Sequence, residues 1–297
     1  MTYLLKSRSE PTQLLPASSE EQQRKINEVR ELLGDLPTEM PNFLSDATIR
    51  RFLRARNWST TKATKSLKET TSWRRHYKPE KIRWESIADS ENEAKRAYIP
   101  DYLDKNGRMV FVTLPAIKGL KQCQLQRYTQ TKTSEKDHLK YLVYNLETLL
   151  MYSEDAEEEC IVWISDFQGW AISSTPFSLT RQSLHIIQQY YPGLIAVAIL
   201  TNPPIIFESF WKIIKRFLEP RMNEKVKFIY SNNSESQKIM GDMFDLDKLE
   251  YIFGGRNTAE FDINMYAERM KRRDRVRGSW TQDNGEASSN NTKPNED

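Results

Sequence analysis

The residues able to do chemistry are few in this 297-residue chain, and their spacing argues against catalysis. His76, His138 and His185 are the only histidines, and none stands at metal-ligand spacing. Cys123 and Cys160 form neither a zinc pattern nor a disulfide framework. No glycine-rich phosphate loop and no nucleophile elbow is present. Asp166 follows an apolar run, where α/β catalytic acids often sit. However, Asp166-Phe167-Gln168-Gly169 is also good turn chemistry, and the acid has no evident partner. Binding chemistry remains. Arg50, Arg51, Arg54 and Arg56 cluster in one segment, and PPIIFESFWKIIKRFLEP, Pro203–Pro220, mixes aromatic with basic residues. Guanidinium groups pair with carboxylate or phosphate. A broad apolar arc covers a core, an internal ligand or a bilayer.

The Pro203–Pro220 stretch reads as a helix between prolines. Pro203 and Pro204 preset its entry, and Pro220 ends it at Glu219. At helical periodicity Ile206, Phe207, Phe210, Trp211, Ile213, Ile214, Phe217 and Leu218 form one apolar arc. Glu208, Ser209, Lys212, Lys215, Arg216 and Glu219 gather opposite. Taken alone, such a stripe is most often core. The alternative is a movable lid whose aromatic face meets lipid.

Composition narrows the classes. Forty-four basic against 41 acidic residues give a net charge of +3, which does not predict a nucleic-acid partner. The cysteine usage fits a reducing compartment. The N-terminal residues lack a signal-peptide core, and no run approaches the roughly 18 apolar residues of a membrane span. A cytoplasmic location is therefore expected.

The positioning elements follow in order. Residues 1–17 read as disordered. Residues 18–78 form a helical lobe: a helix over Ser18–Leu33 with Ser19 as cap and Gly34 as stop, a second from Asp46, and a third from Ser59 to His76. Asp104-Lys105-Asn106-Gly107 is a hairpin turn before a strand at Arg108–Leu114. A helix over Thr133–Tyr152, capped by Thr133 or Ser134, leads through a run of acids to a strand at Cys160–Ser165. A helix at Pro176–Tyr190 and the wholly apolar strand Leu194–Leu200 follow. A strand at Lys225–Tyr230 and a helix stopped by Gly241 come next, then short helical pieces at Leu246–Phe253 and Phe261–Met270. Residues 79–256 thus read as an α/β lobe, 257–275 as a helical extension and 276–297 as a polar tail.

This combination resembles the CRAL-TRIO family, which includes the phosphatidylinositol/phosphatidylcholine transfer proteins. The resemblance rests on Ile49–Arg56 with Ala63, Trp73 and Arg74, on Asp166–Gly169, and on Tyr190-Tyr191-Pro192. It also rests on the Leu194–Leu200 strand, Asn202-Pro203-Pro204 and Phe217–Pro220, all in order across residues 40–256. It implies a mixed, mainly parallel sheet flooring an apolar lipid cavity, and a gate helix at 203–220. It further implies that Arg56 and Lys225 meet the lipid head group. Trp163, Tyr191, Ile206, Phe207, Phe210, Trp211, Ile214, Phe217 and Leu218 would form tail pocket and gate. Three positions depart from the phosphoinositide pattern: Asn57 replaces a basic residue, Gly193 a glutamate and Met222 a threonine. Ile161 and Trp163 replace the small hydroxyl residues of the phosphatidylcholine site.

The expected function is exchange of a phospholipid with cytoplasmic membrane surfaces by a monomer, with no cofactor beyond the bound lipid. A second reading is a non-transferring sensor whose lipid regulates a protein partner, using the basic run Lys271, Arg272, Arg273, Arg275 and Arg277. Near anionic lipid such a run is worth about 1 kcal/mol per residue.

Overall fold

The computed structural model describes residues 18–87, 93–115, 134–151 and 159–286. Serine caps open the N-terminal helices. Helix α1 spans Ser19–Leu33, and its cap is Ser18 rather than Ser19: Ser18 Oγ accepts from the Glu21 amide at 3.2 Å. A short α2, Leu36–Glu39, follows. Ser45 caps α3, Asp46–Ala55, and Ser59 caps α4, Thr60–Tyr77. Each cap satisfies an amide that has no partner within its helix. Ile26, Val29, Phe52, Leu53 and Leu67 meet in a separate small core.

The five strands lie in sequence order: β1 Ala97–Tyr98, β2 Met109–Thr113, β3 Ile161–Asp166, β4 Ile195–Thr201 and β5 Val226–Ile229. Only β1 runs antiparallel to its neighbour. The parallel strands are joined through α5 (Glu135–Met151), α6 (Phe177–Tyr190) and α7 (Phe207–Ile214), the alternation that makes an α/β sheet. Ser134 caps α5, its Oγ accepting from Asp137; Thr133 lies outside the described residues. At the predicted hairpin, Asp104 Oδ1 accepts from the amides of Asn106 and Arg108 at 3.0 and 2.7 Å.

The pleat divides the sheet. Val110, Val112, Val162, Ile164 and Ile199 are wholly buried on one face. The alternate residues, Phe111, Thr113, Trp163, Ser165, Ala198 and Leu200, line a cavity on the other. A strand that is apolar at every position is what burial on two faces requires.

The helical lobe is fastened to the sheet lobe by buried polar groups. Arg74 on α4 donates to both carboxylate oxygens of Glu147 on α5, at 2.7 and 2.9 Å, and Tyr191 donates to the same carboxylate at 2.6 Å. Trp73 stacks on Tyr190 with ring centres 4.2 Å apart. Arg51 donates to the carbonyl of Pro192 at 3.0 Å, and burial lowers its pKa to about 10.

Several elements differ from the sequence reading, among them the Leu246–Phe253 piece, which is helical only as a 3-10 turn at Tyr251–Phe253. Pro220 opens a short helix, α8 (Pro220–Glu224). Gly241 lies inside α9 (Ser234–Met243) rather than stopping it. Helix α10 covers Ile263–Glu286, past the point where composition places a tail. Its middle docks through Asp274 and Arg277: Trp84 donates its amide to Asp274 at 2.6 Å, while Arg277 donates to Asp274 and to the Ile82 carbonyl. A hydropathy pattern does not register such an anchor. The predicted N-terminal tail at 1–17 and the part of the predicted 276–297 tail beyond Glu286 lie outside the described residues, as do Cys123 and all but Glu159 of the acidic run.

Candidate functional site

An apolar cavity of about 410 Å³ lies between the sheet and helices α5, α6 and α7. That is within the range of ligand cavities. Tyr141 and Leu142 of α5 and Leu179, Leu184 and Ile187 of α6 form two walls. The third wall is α7, which contributes Phe207, Phe210, Trp211 and Ile214, followed by Leu218 and Met222. Phe207 and Phe210 also pack on Trp170, at ring-centre distances of 5.3 and 4.9 Å.

The apolar arc of α7 is therefore divided. Phe207 and Ile214 are buried toward the cavity, while Ile206 and Ile213 are half exposed. Ile205, just before the helix, is 88% exposed. The helix is also shorter than expected. It ends at Ile214, passes through one 3-10 turn at Lys215–Phe217, and turns extended at Leu218 and Glu219. Pro220 causes this, because its ring excludes helical geometry for the residue before it.

Two clasps hold the ends of this segment. At its start, Asn202 adopts φ 48°, and its Oδ1 accepts from the Ser231 amide at 2.8 Å. At its end, Gln188 of α6 donates to the Phe217 carbonyl at 2.8 Å and accepts from the Glu219 amide at 2.6 Å. Replacing Gln188 with Ala is expected to raise hydrogen exchange at the Glu219 amide roughly ten-fold, the loss of about one hydrogen bond. Exchange measured by NMR or mass spectrometry would check this; an unchanged rate would show that the clasp does not hold the segment.

The charged residues named from the sequence lie elsewhere. Arg56 donates to both Glu219 oxygens at 3.2 Å, to Ser66 and to the Gln188 carbonyl. Lys225 pairs with Glu159 and donates to the Ile195 carbonyl at 2.8 Å. Burial lowers the Lys225 pKa, and Glu159 offsets part of that. Neither cation lines the large cavity; Lys225 and Glu219 border a small crevice of about 40 Å³ beside Gly193 and Pro192. Tyr191 also borders that crevice, its hydroxyl committed to Glu147. Phe217 packs edge-on against Phe177, outside the cavity. The structure thus brings Trp163, Phe207, Phe210, Trp211, Ile214 and Leu218 together, and sets Arg56, Lys225, Tyr191, Ile206 and Phe217 apart from them.

The departures at Asn57 and Gly193 have backbone causes. Asn57 sits at φ 53° in the turn between α3 and α4, a conformation asparagine tolerates better than long side chains do. Gly193 has φ 68°, and a Cβ there would stand 3.0 Å from the Arg51 carbonyl. A glutamate at that position would be strained and would push on the Arg51 backbone. Met222 has an apolar role in the cavity wall. Trp163 is not a free aromatic face: it packs on Phe111 at 5.1 Å, and its indole N–H donates to Thr113 at 2.9 Å.

Sequence reasoning missed Thr113, Ser165 and His138 as cavity residues. Alternation with Trp163 would have placed Ser165 on the same face. His138 required the tertiary pairing with Glu93, whose carboxylate lies 2.7 Å from its Nδ1. Among the described residues no helix is long and apolar enough to cross a membrane.

A five-stranded mixed sheet with an apolar cavity under a helix, preceded by a helical lobe, defines the fold class. The CRAL/TRIO domain model matches residues 92–255, and that of the CRAL/TRIO N-terminal domain matches residues 25–69. The chain belongs to the CRAL/TRIO family. It is similar to the SEC14 cytosolic factor of Kluyveromyces lactis, 29% identical over 261 residues, 83% of this chain and 82% of that protein. It is also similar to the phosphatidylinositol transfer protein PDR17 of Saccharomyces cerevisiae, 27% identical over 206 residues, 63% of this chain and 53% of that one. The solved structure of Sfh5 shares the fold, with a TM-score of 0.64 at 13% identity, covering 85% of this chain and 92% of that one.

Proposed function

We propose that this protein binds one lipid in the cavity beneath α7 and exchanges it with membrane surfaces, the segment 203–220 acting as the gate. The observation that carries this reading is the division of the α7 arc. Its inner side closes the cavity, while Ile205, Ile206 and Ile213 face outward beside the exposed Lys212, Lys215 and Arg216. Apolar side chains rimmed by basic ones suit an anionic bilayer surface. The relatives named as a phosphatidylinositol transfer protein and as SEC14 cytosolic factors support a transfer role. A phospholipid is the ligand class, and the protein works as a monomer without a catalytic step. No membrane-spanning segment is invoked; attachment is peripheral and transient.

Acyl chains gain about 0.8 kcal/mol per CH₂ relative to water, but they leave a bilayer that is equally apolar. Selectivity therefore rests on the polar head. Arg56 and Lys225 already hold Glu219 and Glu159, so a phosphate must compete with these carboxylates. Since Glu219 is also clasped by Gln188, an anionic head group at Arg56 would loosen the end of the gate.

Ile205→Glu with Ile206→Glu tests the reading. Transfer of labelled phosphatidylinositol between vesicles is expected to fall at least ten-fold, with the amount of co-purifying lipid and the melting temperature unchanged. Transfer at the wild-type rate would remove this face from the membrane contact. Protein that carries no lipid and transfers none would overturn the function.

A further inference from the structure

The cavity differs along the sheet. Toward β4 and β5 its lining is apolar: Ile187, Ala198, Ile214, Leu218, Met222 and Val226. At the carboxyl ends of β2 and β3 it contains a built polar group. The Trp163 indole N–H donates to Thr113 Oγ1 at 2.9 Å, and Thr113 Oγ1 stands 2.6 Å from Ser165 Oγ.

Hydrogen counting shows what this group lacks. Two hydroxyls carry two hydrogens, and one lies between the two oxygens. Whichever oxygen donates it, the second hydrogen has no acceptor among the described residues. Ser165 also keeps lone pairs that can accept. Ser165 is 6% exposed and Thr113 is half-buried, and both line the cavity. A buried donor without an acceptor is unfavourable until a ligand supplies one.

We infer that Thr113 and Ser165 anchor the single uncharged polar group, a hydroxyl or a carbonyl, of an amphiphile whose apolar body extends toward β5. The inference rests on the lipid-binding reading of this cavity and adds a second ligand class to it, beside the phospholipid. A ligand oxygen accepts the spare hydrogen; where Ser165 donates to Thr113 and the spare hydrogen is that of Thr113, a ligand hydroxyl also donates its own hydrogen to Ser165. A phosphate fits this place less well. The charged lining residues are Glu93, Arg96, Glu135 and His138. His138 is taken by Glu93, and Glu135 accepts from Ser178 and Gln182. Two carboxylates against one arginine give no net positive charge to offset a phosphate removed from water.

The test uses the full-length protein and phosphatidylcholine vesicles holding oleyl alcohol and 1-octadecene at equal mole fraction. After incubation the protein is re-isolated, and bound alcohol, alkene and phospholipid are quantified by mass spectrometry and gas chromatography. Wild type is expected to return enriched in the alcohol. Thr113→Val or Ser165→Ala alone leaves one hydroxyl with a spare hydrogen, so most of the preference persists. Thr113→Val and Ser165→Ala combined with Trp163→Phe, which also removes the indole donor, should lower the alcohol-to-alkene ratio about ten-fold. Circular dichroism melting confirms that this variant folds, and Thr113→Ser is expected to retain the preference. An unchanged ratio in the triple variant overturns the inference. Protein returning with phosphatidylcholine and neither probe also overturns it, while leaving the lipid-binding reading intact. Protein returning with no apolar molecule overturns both.

Discussion

Glu147→Gln is expected to destabilise the protein by about 3 kcal/mol, the lower end of what removing one partner of a buried ion pair costs. The substitution preserves shape but leaves Arg74 buried, with Glu80 as its nearest remaining carboxylate at 3.7 Å. Arg74 and Glu147 are each about 6% exposed at the side chain, so water does not replace the lost charge. For a chain of this size that corresponds to a fall in Tm of roughly 6–12 °C, measured by calorimetry or circular dichroism. The pH dependence gives a second readout. Burial raises the Glu147 pKa, but the charge and hydrogen bonds of Arg74 outweigh it and hold the carboxyl below its ordinary value. A depressed carboxylate pKa contributes stability that is complete above the ordinary value of about 4.3 and lost as pH falls through the lower folded value. The Gln variant should therefore lose part of the acid-side slope. Replacing both partners by apolar residues, Arg74→Met with Glu147→Leu, should recover much of the loss. A Glu147→Gln protein as stable as wild type would mean that Arg74 and Glu147 do not fasten the lobes.

The largest effect on ligand binding is expected from Ala198→Trp. Ala198 stands beside Trp163 in the β3–β4 register and lines the cavity floor. Ala198 is buried at the edge of the main core and also lines the cavity of about 410 Å³. An indole there occupies volume the ligand needs. Co-purifying lipid should fall at least ten-fold, while Tm changes by only a few degrees. Extraction and mass spectrometry of matched preparations give the comparison; full loading of the variant would show that the lipid lies elsewhere.

Much of the architecture follows from local rules. The Asp104–Gly107 turn and the apolar run at β4 are decided by turn chemistry and periodicity, and they stand where the residues indicate; serines cap α1, α3 and α4, the first of them one residue earlier than read. Gly241 lies inside α9, and Pro220 shortens α7 by a local rule. The length of α10 is different: Asp274 and Arg277 anchor it to Trp84 and Ile82, far along the chain, and that has no local signature.

The sequence by itself determined the family, the order of elements and the presence of one helix too apolar for an ordinary surface. The tertiary structure decided which side of that helix faces inward. It committed Arg56 to Glu219, 163 residues away in the chain, and Lys225 to Glu159. It also made Asn57 and Gly193 backbone requirements instead of missing ligands. The physical reason is the same in each case. Periodicity and propensity describe an element alone, whereas the partner of a charge, or the wall that meets a Cβ, is brought in by folding from far along the chain.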